Sequence, residues 1–275
     1  MANAPTPTTA QKENSKGSGI FAGLAIVICI AIGWALFLFV MGDGSNFEGG
    51  DNANQPIPGN YFGMIYKGGY IVPFLMSMFL MVIVFSIERF FVISKAAGVG
   101  NVDSFVRKVQ SSLASNNVDA AISECDKQKG SVAAVIKSGL QKYKAVEIDP
   151  SMDTEQKCLA IQKDIEEATA LEMPMLEQNL TIIATLVSVG TLGGLLGTVT
   201  GMIKAFAGLA TAGAPDQAQL ANGISEALIN TATGIATSLF AVLSYNFFTS
   251  KIDSLTYSID EAGFSIVQTY AATHK

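Results

Sequence analysis

Residues 178–203 read QNLTIIATLVSVGTLGGLLGTVTGMI. All 26 of them pass without an Asp, Glu, Lys, Arg or His. A helix needs about 20 apolar residues to cross a hydrocarbon core, so this run is long enough to span one. Three more stretches carry no ionisable side chain: 17–42, 68–87 and 227–250. The pattern predicts an all-α membrane protein with four transmembrane helices, over 20–41, 70–93, 180–206 and 223–249. A helical segment, 94–179, lies between the second and third.

Composition agrees. Of 275 residues, 49% are hydrophobic and 15% charged, where an ordinary soluble domain has about 25% charged. A soluble enzyme, a secreted disulfide scaffold and a disordered chain all fit this poorly. The net charge of −6 argues against a nucleic-acid surface. Cys29, Cys125, Cys158 and His274 are too scattered for a metal cluster, and no cofactor is expected. The Gly-rich stretch 190–201 lacks the Gly-Lys-Ser/Thr ending of a phosphate loop. The first apolar run is longer than the 7–15 residues of a signal-peptide core, and no Ala-x-Ala site follows it. It reads as a retained anchor.

Lysine and arginine counts set the direction. The tail 1–19 holds two, the loop 42–69 one, the loop 207–222 none, and the tail 250–275 two. Ten fall in 95–178. The positive-inside rule places both tails and 94–179 in the cytoplasm, and both loops on the other side of the membrane. The loop 42–69 reads as irregular. Tyr61, Phe62, Tyr66 and Tyr70, just before the second span, read as an interfacial aromatic belt.

Within 94–179, Asn101 is placed to cap a helix over 102–113, Asn117 one over 118–129, and Ser131 one over 132–146. A last helix starts near Asp153 and runs on into the third span, with a kink at Pro174. Asp and Glu outnumber Lys and Arg by 13 to 10 in 95–178, the pattern of a solvated face.

The third and fourth spans differ from the greasy first two. Gly193, Gly197 and Gly201 recur every four residues, as do Gly190 and Gly194. Small-residue stripes let helix backbones approach closely in lipid. These two spans therefore belong inside a bundle, with spans one and two toward lipid. Thr198 and Thr231 each lie about eight residues from the outer ends of their spans, so antiparallel neighbours bring both hydroxyls to one depth. Glu226 is the single carboxylate in the last two spans. With Asn230, Thr233 and Thr237 it makes one polar stripe at i, i+4, i+7 and i+11. These six residues are the expected proton path, Glu226 because an ionisable group at membrane depth marks function by default; for the hydroxyls, packing against their own i−4 carbonyls is the equal alternative. Lys204 reads as a snorkelling side chain.

At these residues the chain resembles a known family. GLLGTVTGMIKAF at 194–206, GISEALINTATG at 223–234 and Tyr245-Asn246 are similar to the signature blocks of the ExbB/TolQ/MotA proton-channel family, and most like ExbB. The family pattern has three spans, matching spans two to four here; span one and the loop 42–69 depart from it. The resemblance implies a ring, generally a homopentamer, around the single membrane helices of an ExbD-like subunit whose Asp takes up and releases protons. It implies that residues matching Thr198, Thr231 and Glu226 face the ring lumen. The output passes to a TonB-like protein that energises outer-membrane import. A TolQ-like envelope subunit and a MotA-like or gliding stator are alternatives. An autonomous channel or transporter is a third, disfavoured because the sequence has no inverted repeat and no evident interior charge pair.

Overall fold

The computed structural model describes residues 9–210 and 217–274, with side chains from 21 to 208 and from 217 to 274. Residues 1–8 of the expected tail and 211–216 of the expected 207–222 loop lie outside the described residues. The protein is an all-α membrane protein. Among the described residues four helical stretches are long and apolar enough to cross a membrane: Phe21–Met41 and one in each of Gly69–Ala114, Thr154–Gly208 and Gln217–Thr273. In chain order the helices are α1 (Thr9–Ala35), α2 (Tyr61–Tyr66), α3 (Val72–Ala97), α4 (Val102–Ala114), α5 (Val118–Gln128), α6 (Gly130–Glu147), α7 (Thr154–Glu177), α8 (Leu180–Ala210) and α9 (Gln217–Thr273). The chain divides into two compact units.

The first unit takes Met1–Ile87 and Asn179–Tyr245. Here α1 passes into a π-helical turn, Leu36–Met41, and crosses α3 at Gly33. A Cβ at Gly33 would lie 3.1 Å from the Pro73 carbonyl oxygen and collide with Ser77 Oγ. The missing side chain therefore sets how closely the two helices pack. Trp34 meets Phe74 edge-on at 5.5 Å. Phe37, Met41 and Val72 form a buried cluster against Ile65, Tyr66 and Ile229.

The loop 42–69 is built rather than irregular. Asn46 Nδ2 donates to the Val40 and Met41 carbonyls at 2.8 and 3.1 Å, satisfying the end of the first span. Asn60 donates to Asn46 Oδ1 at 2.9 Å and accepts from the Gly63 N–H, which starts α2. Lys67 Nζ donates to the Asn52 and Ala53 carbonyls and lies over the Phe47 ring. Of the four expected belt aromatics, Tyr61, Phe62 and Tyr70 are exposed. Tyr66 instead stacks on Phe37 at 4.8 Å and meets Phe47 edge-on, so it belongs to the loop's own core.

The second unit takes Glu88–Gln178 and Asn246–Lys275. Asn101 and Asn117 cap α4 and α5 through their side-chain oxygens, and Asp153 with Gln156 makes a capping box at α7. Ser131 is not the cap expected of it. Helix α6 begins at Gly130, whose φ of 79° lets the backbone pass within reach of the Ala96 and Lys95 carbonyls. Nor does the chain run from α7 into α8 with a kink at Pro174. Pro174 sits inside α7, the Gln178 N–H still reaches its carbonyl at 3.1 Å, and the break falls at Gln178–Asn179, with Asn179 at φ 65°. The buried Arg89 guanidinium donates to the Met175 and Leu176 carbonyls left open by that ending, and pairs with Glu88. The segment 250–275 is helical to Thr273. Its buried Ile252, Leu255, Ile259, Ala262, Ile266 and Tyr270 recur at helical spacing, so the expected tail is part of this unit's core.

Candidate functional site

The site grows from the α8–α9 seam. Gly190, Gly194, Gly197 and Gly201 of α8 all face α9. A Cβ at Gly201 would lie 2.8 Å from the Ala227 nitrogen, and one at Gly194 would lie 3.2 Å from Gly234 Cα. One at Gly190 would meet Ser238 Oγ at 2.9 Å, and one at Gly197 would enter the Asn230 side chain. Gly193 stands apart, facing Leu75 of α3. Backbone contact along this seam fixes which side chains flank it on each edge.

On one edge stand hydroxyls. Thr198 Oγ1 and Thr231 Oγ1 hydrogen-bond to each other across the seam. Each also has a carbonyl four residues back, Gly194 for Thr198 and Ala227 for Thr231 at 3.2 and 3.1 Å. Both are half-buried. Thr191 Oγ1 and Ser238 Oγ make a second cross-seam contact at 2.7 Å. Sequence reasoning had not paired Thr191 with Ser238. The available signal was their shared offset of seven residues from Thr198 and Thr231.

On the other edge stands the charge. Glu226 is 8% exposed, and its Oε1 lies 2.5 Å from Lys204 Nζ, whose side chain is 56% exposed. The carboxylate sits on Gly69: a Cβ there would lie 2.5 Å from Oε1, and Gly69 has φ 78°. One turn along, fully buried Asn230 donates to the Gly68 carbonyl at 2.9 Å, while its Oδ1 has no partner among the described residues. Thr237 is buried and donates to the Thr233 carbonyl; half-buried Thr233 donates to that of Ile229.

The six expected path residues therefore part into two sets. Thr198 and Thr231 share one edge; Glu226 and Asn230 reach Gly69 and Gly68, Thr233 lines a hollow with Met76 and Phe79 of α3, and Thr237 packs on Gly190 in the seam. The sequence contained the reason. Five residues separate Glu226 from Thr231, about 140° around a helix, so the two cannot point the same way. Lys204 does not merely snorkel, because it is the counter-ion of Glu226. The pair also removes one argument raised against an autonomous transporter, the lack of an interior charge pair.

The description "MotA/TolQ/ExbB proton channel family" matches residues 127–261, which hold the end of α5, α6 to α8 and most of α9. The match covers 135 of the 275 residues, just under half of the chain. Among named relatives, the Tol-Pal system protein TolQ of Pseudomonas aeruginosa is 32% identical over 124 residues, 45% of this chain and 54% of the relative. TolQ of Haemophilus influenzae is 37% identical over 84 residues, 30% of this chain and 37% of the relative. The biopolymer transport protein ExbB of Salmonella typhimurium is 33% identical over 85 residues, 31% of this chain and 35% of the relative. The matched stretch thus spans about half the length of the first and about a third of the other two. This family is of the proton-channel type, not a known enzyme family.

Proposed function

We propose that this protein is an ExbB-like subunit of a proton-driven motor in a bacterial inner membrane. In this reading it forms a homopentamer around an ExbD-like single-span partner carrying a membrane carboxylate, and passes work to a TonB-like protein. The tails and 94–179 face the cytoplasm, and the loops 42–69 and 207–222 the periplasm. The observation that carries the reading is the Thr198–Thr231 hydroxyl pair, set across the α8–α9 seam inside the family-matched stretch. A hydroxyl can donate to an ionised carboxylate and accept from a protonated one, so one pair serves both states of the partner. The apolar surroundings make the ionised state depend on that donation.

The longest stretch of identity among the three relatives is to a TolQ, which favours a TolQ-like envelope role as the second reading. The two predict different co-purifying partners.

The test is proton flux in proteoliposomes holding the co-purified complex under an imposed pH gradient. Thr198→Val and Thr231→Val keep shape and delete the hydroxyl. Flux should fall about tenfold or more in a complex of unchanged stoichiometry, the loss expected of a hydrogen bond to a charged group. Wild-type flux in both variants removes the proposed role of the pair.

A further inference from the structure

The outer hydroxyl pair has a counterpart two turns inward. Thr191 and Ser238 meet at 2.7 Å across the same seam. Ser238 Oγ also lies 2.7 Å from the Val187 carbonyl oxygen, and Thr191 Oγ1 lies 3.2 Å from it. Seven residues separate the pairs on each helix, which keeps them on one edge, about 10 Å apart along the axis. Midway on each helix stands a large aliphatic side chain. Leu195 follows Thr191 by four and Ile235 follows Thr231 by four; they are 51% and 56% exposed. Between the two hydroxyl pairs each helix thus carries one exposed aliphatic side chain.

We infer that Thr191–Ser238 is an inner hydroxyl station of the proton path, separated from the outer station by a gate of Leu195 and Ile235. The inference rests on the motor reading above. The outer pair serves the partner's carboxyl group, and the inner pair orients water that takes the proton onward. In the transfer, the carboxyl O–H bond breaks, a water oxygen gains the proton, and the carboxylate is left ionised. The hydroxyls donate and accept hydrogen bonds and keep their own protons. An aliphatic gap between two polar stations holds no ordered water, because water there lacks partners. Transfer inward then waits for the partner to move, and that requirement couples flux to work.

A packing role for Thr191 and Ser238 is the competing account, since both hydroxyls already reach the Val187 carbonyl. The experiment uses the same co-purified complex in proteoliposomes, with stoichiometry checked by native mass spectrometry. Ser238→Ala and Thr191→Val should each slow flux about tenfold, while Ser238→Thr and Thr191→Ser, which keep the hydroxyl, should stay near wild type. The double variant Leu195→Ser/Ile235→Ser should do the opposite: flux rises while proton-driven work falls, because water bridges the stations. Wild-type flux in Ser238→Ala and Thr191→Val, alongside slow flux in Thr198→Val, overturns the inner station and leaves the motor reading standing. Wild-type flux in Thr198→Val as well overturns both. If the hydroxyl deletions fail to assemble, the gate variant decides alone: an assembled Leu195→Ser/Ile235→Ser complex without leak overturns the inference.

Discussion

At the scale of single residues, the decisive asymmetry is between Glu226 and Lys204. The carboxylate is buried against Gly69, while the ammonium reaches it from a half-open position. Removing the lysine strands a buried charge; removing both charges does not. Lys204→Gln should therefore lower the unfolding free energy by about 1–2 kcal/mol, discounted for the lysine's exposure. Lys204→Gln/Glu226→Gln should recover most of that loss. Thermal unfolding of the detergent-solubilised protein measures the cycle, and additive single effects would remove the coupling. The second unit offers a pH counterpart. Burial is the main cause that pushes the Cys125 thiol from 9.0 up to about 12. The folded state holds this proton more tightly than the unfolded state. Its contribution is thus complete below pH 9 and is lost as pH rises from there toward 12. Chemical unfolding should become easier across that window, and Cys125→Ser should flatten the dependence.

At the scale of elements, the α8–α9 seam depends on positions without side chains. A Cβ at Gly234 would stand 2.6 Å from the Gly190 carbonyl oxygen and 2.7 Å from Gly194 Cα, both backbone atoms with no room to yield. A Cβ at Gly193 would meet Leu75 Cδ2 at 3.0 Å, the flexible end of a side chain. Gly234→Val should therefore cost about 1–3 kcal/mol and break the Thr198–Thr231 contact, while Gly193→Ala is tolerated. Melting temperatures of the two variants, taken with their proton flux, check this; equal behaviour would mean that the seam is not backbone-limited. Elements also set what the sequence could reveal. Asn101, Asn117 and Asp153 were legible because a cap is a local bond, closed within three residues. The Ser131 cap failed because Gly98 and Gly130 draw the chain into a backbone contact that no local propensity encodes. The structure of 42–69 was illegible for the same reason: Asn46 reaches back to the end of the first span and is met by Asn60 from fourteen residues on. The hydroxyl pair was legible from depth alone. Its separation from Glu226 needed the angle around the helix as well as the depth.

At the scale of the whole molecule, the question is what the first span adds to a pattern that otherwise needs three. Its contacts run to α2 and α3: Gly33 on Ser77, Trp34 on Phe74, Phe37 on Tyr66, and Phe37 with Met41 around Val72. Val27, Leu24 and Phe39 point outward and are exposed, as suits a lipid-facing helix. Where the span approaches α9 it does so through Leu36, in a hollow shared with Ile229 and Thr233, on the Glu226 edge. The hydroxyl edge, with Thr191, Thr198, Thr231 and Ser238, has none of these contacts. Deleting residues 1–45 should thus uncover Val72, remove the Phe37 stack beneath Tyr66 and loosen the turn at Gly69, just before α3, on which Glu226 rests. The expected result is a complex that melts several degrees lower, since losing a buried Phe and Met contact costs a few kcal/mol. Its flux per assembled complex should stay within about twofold of wild type, because no hydroxyl partner has been removed. Flux abolished in a truncation of correct stoichiometry would place the first span in the proton path itself. It would also mean that the Glu226 edge, which the span approaches through Leu36, carries the proton in place of the threonine edge.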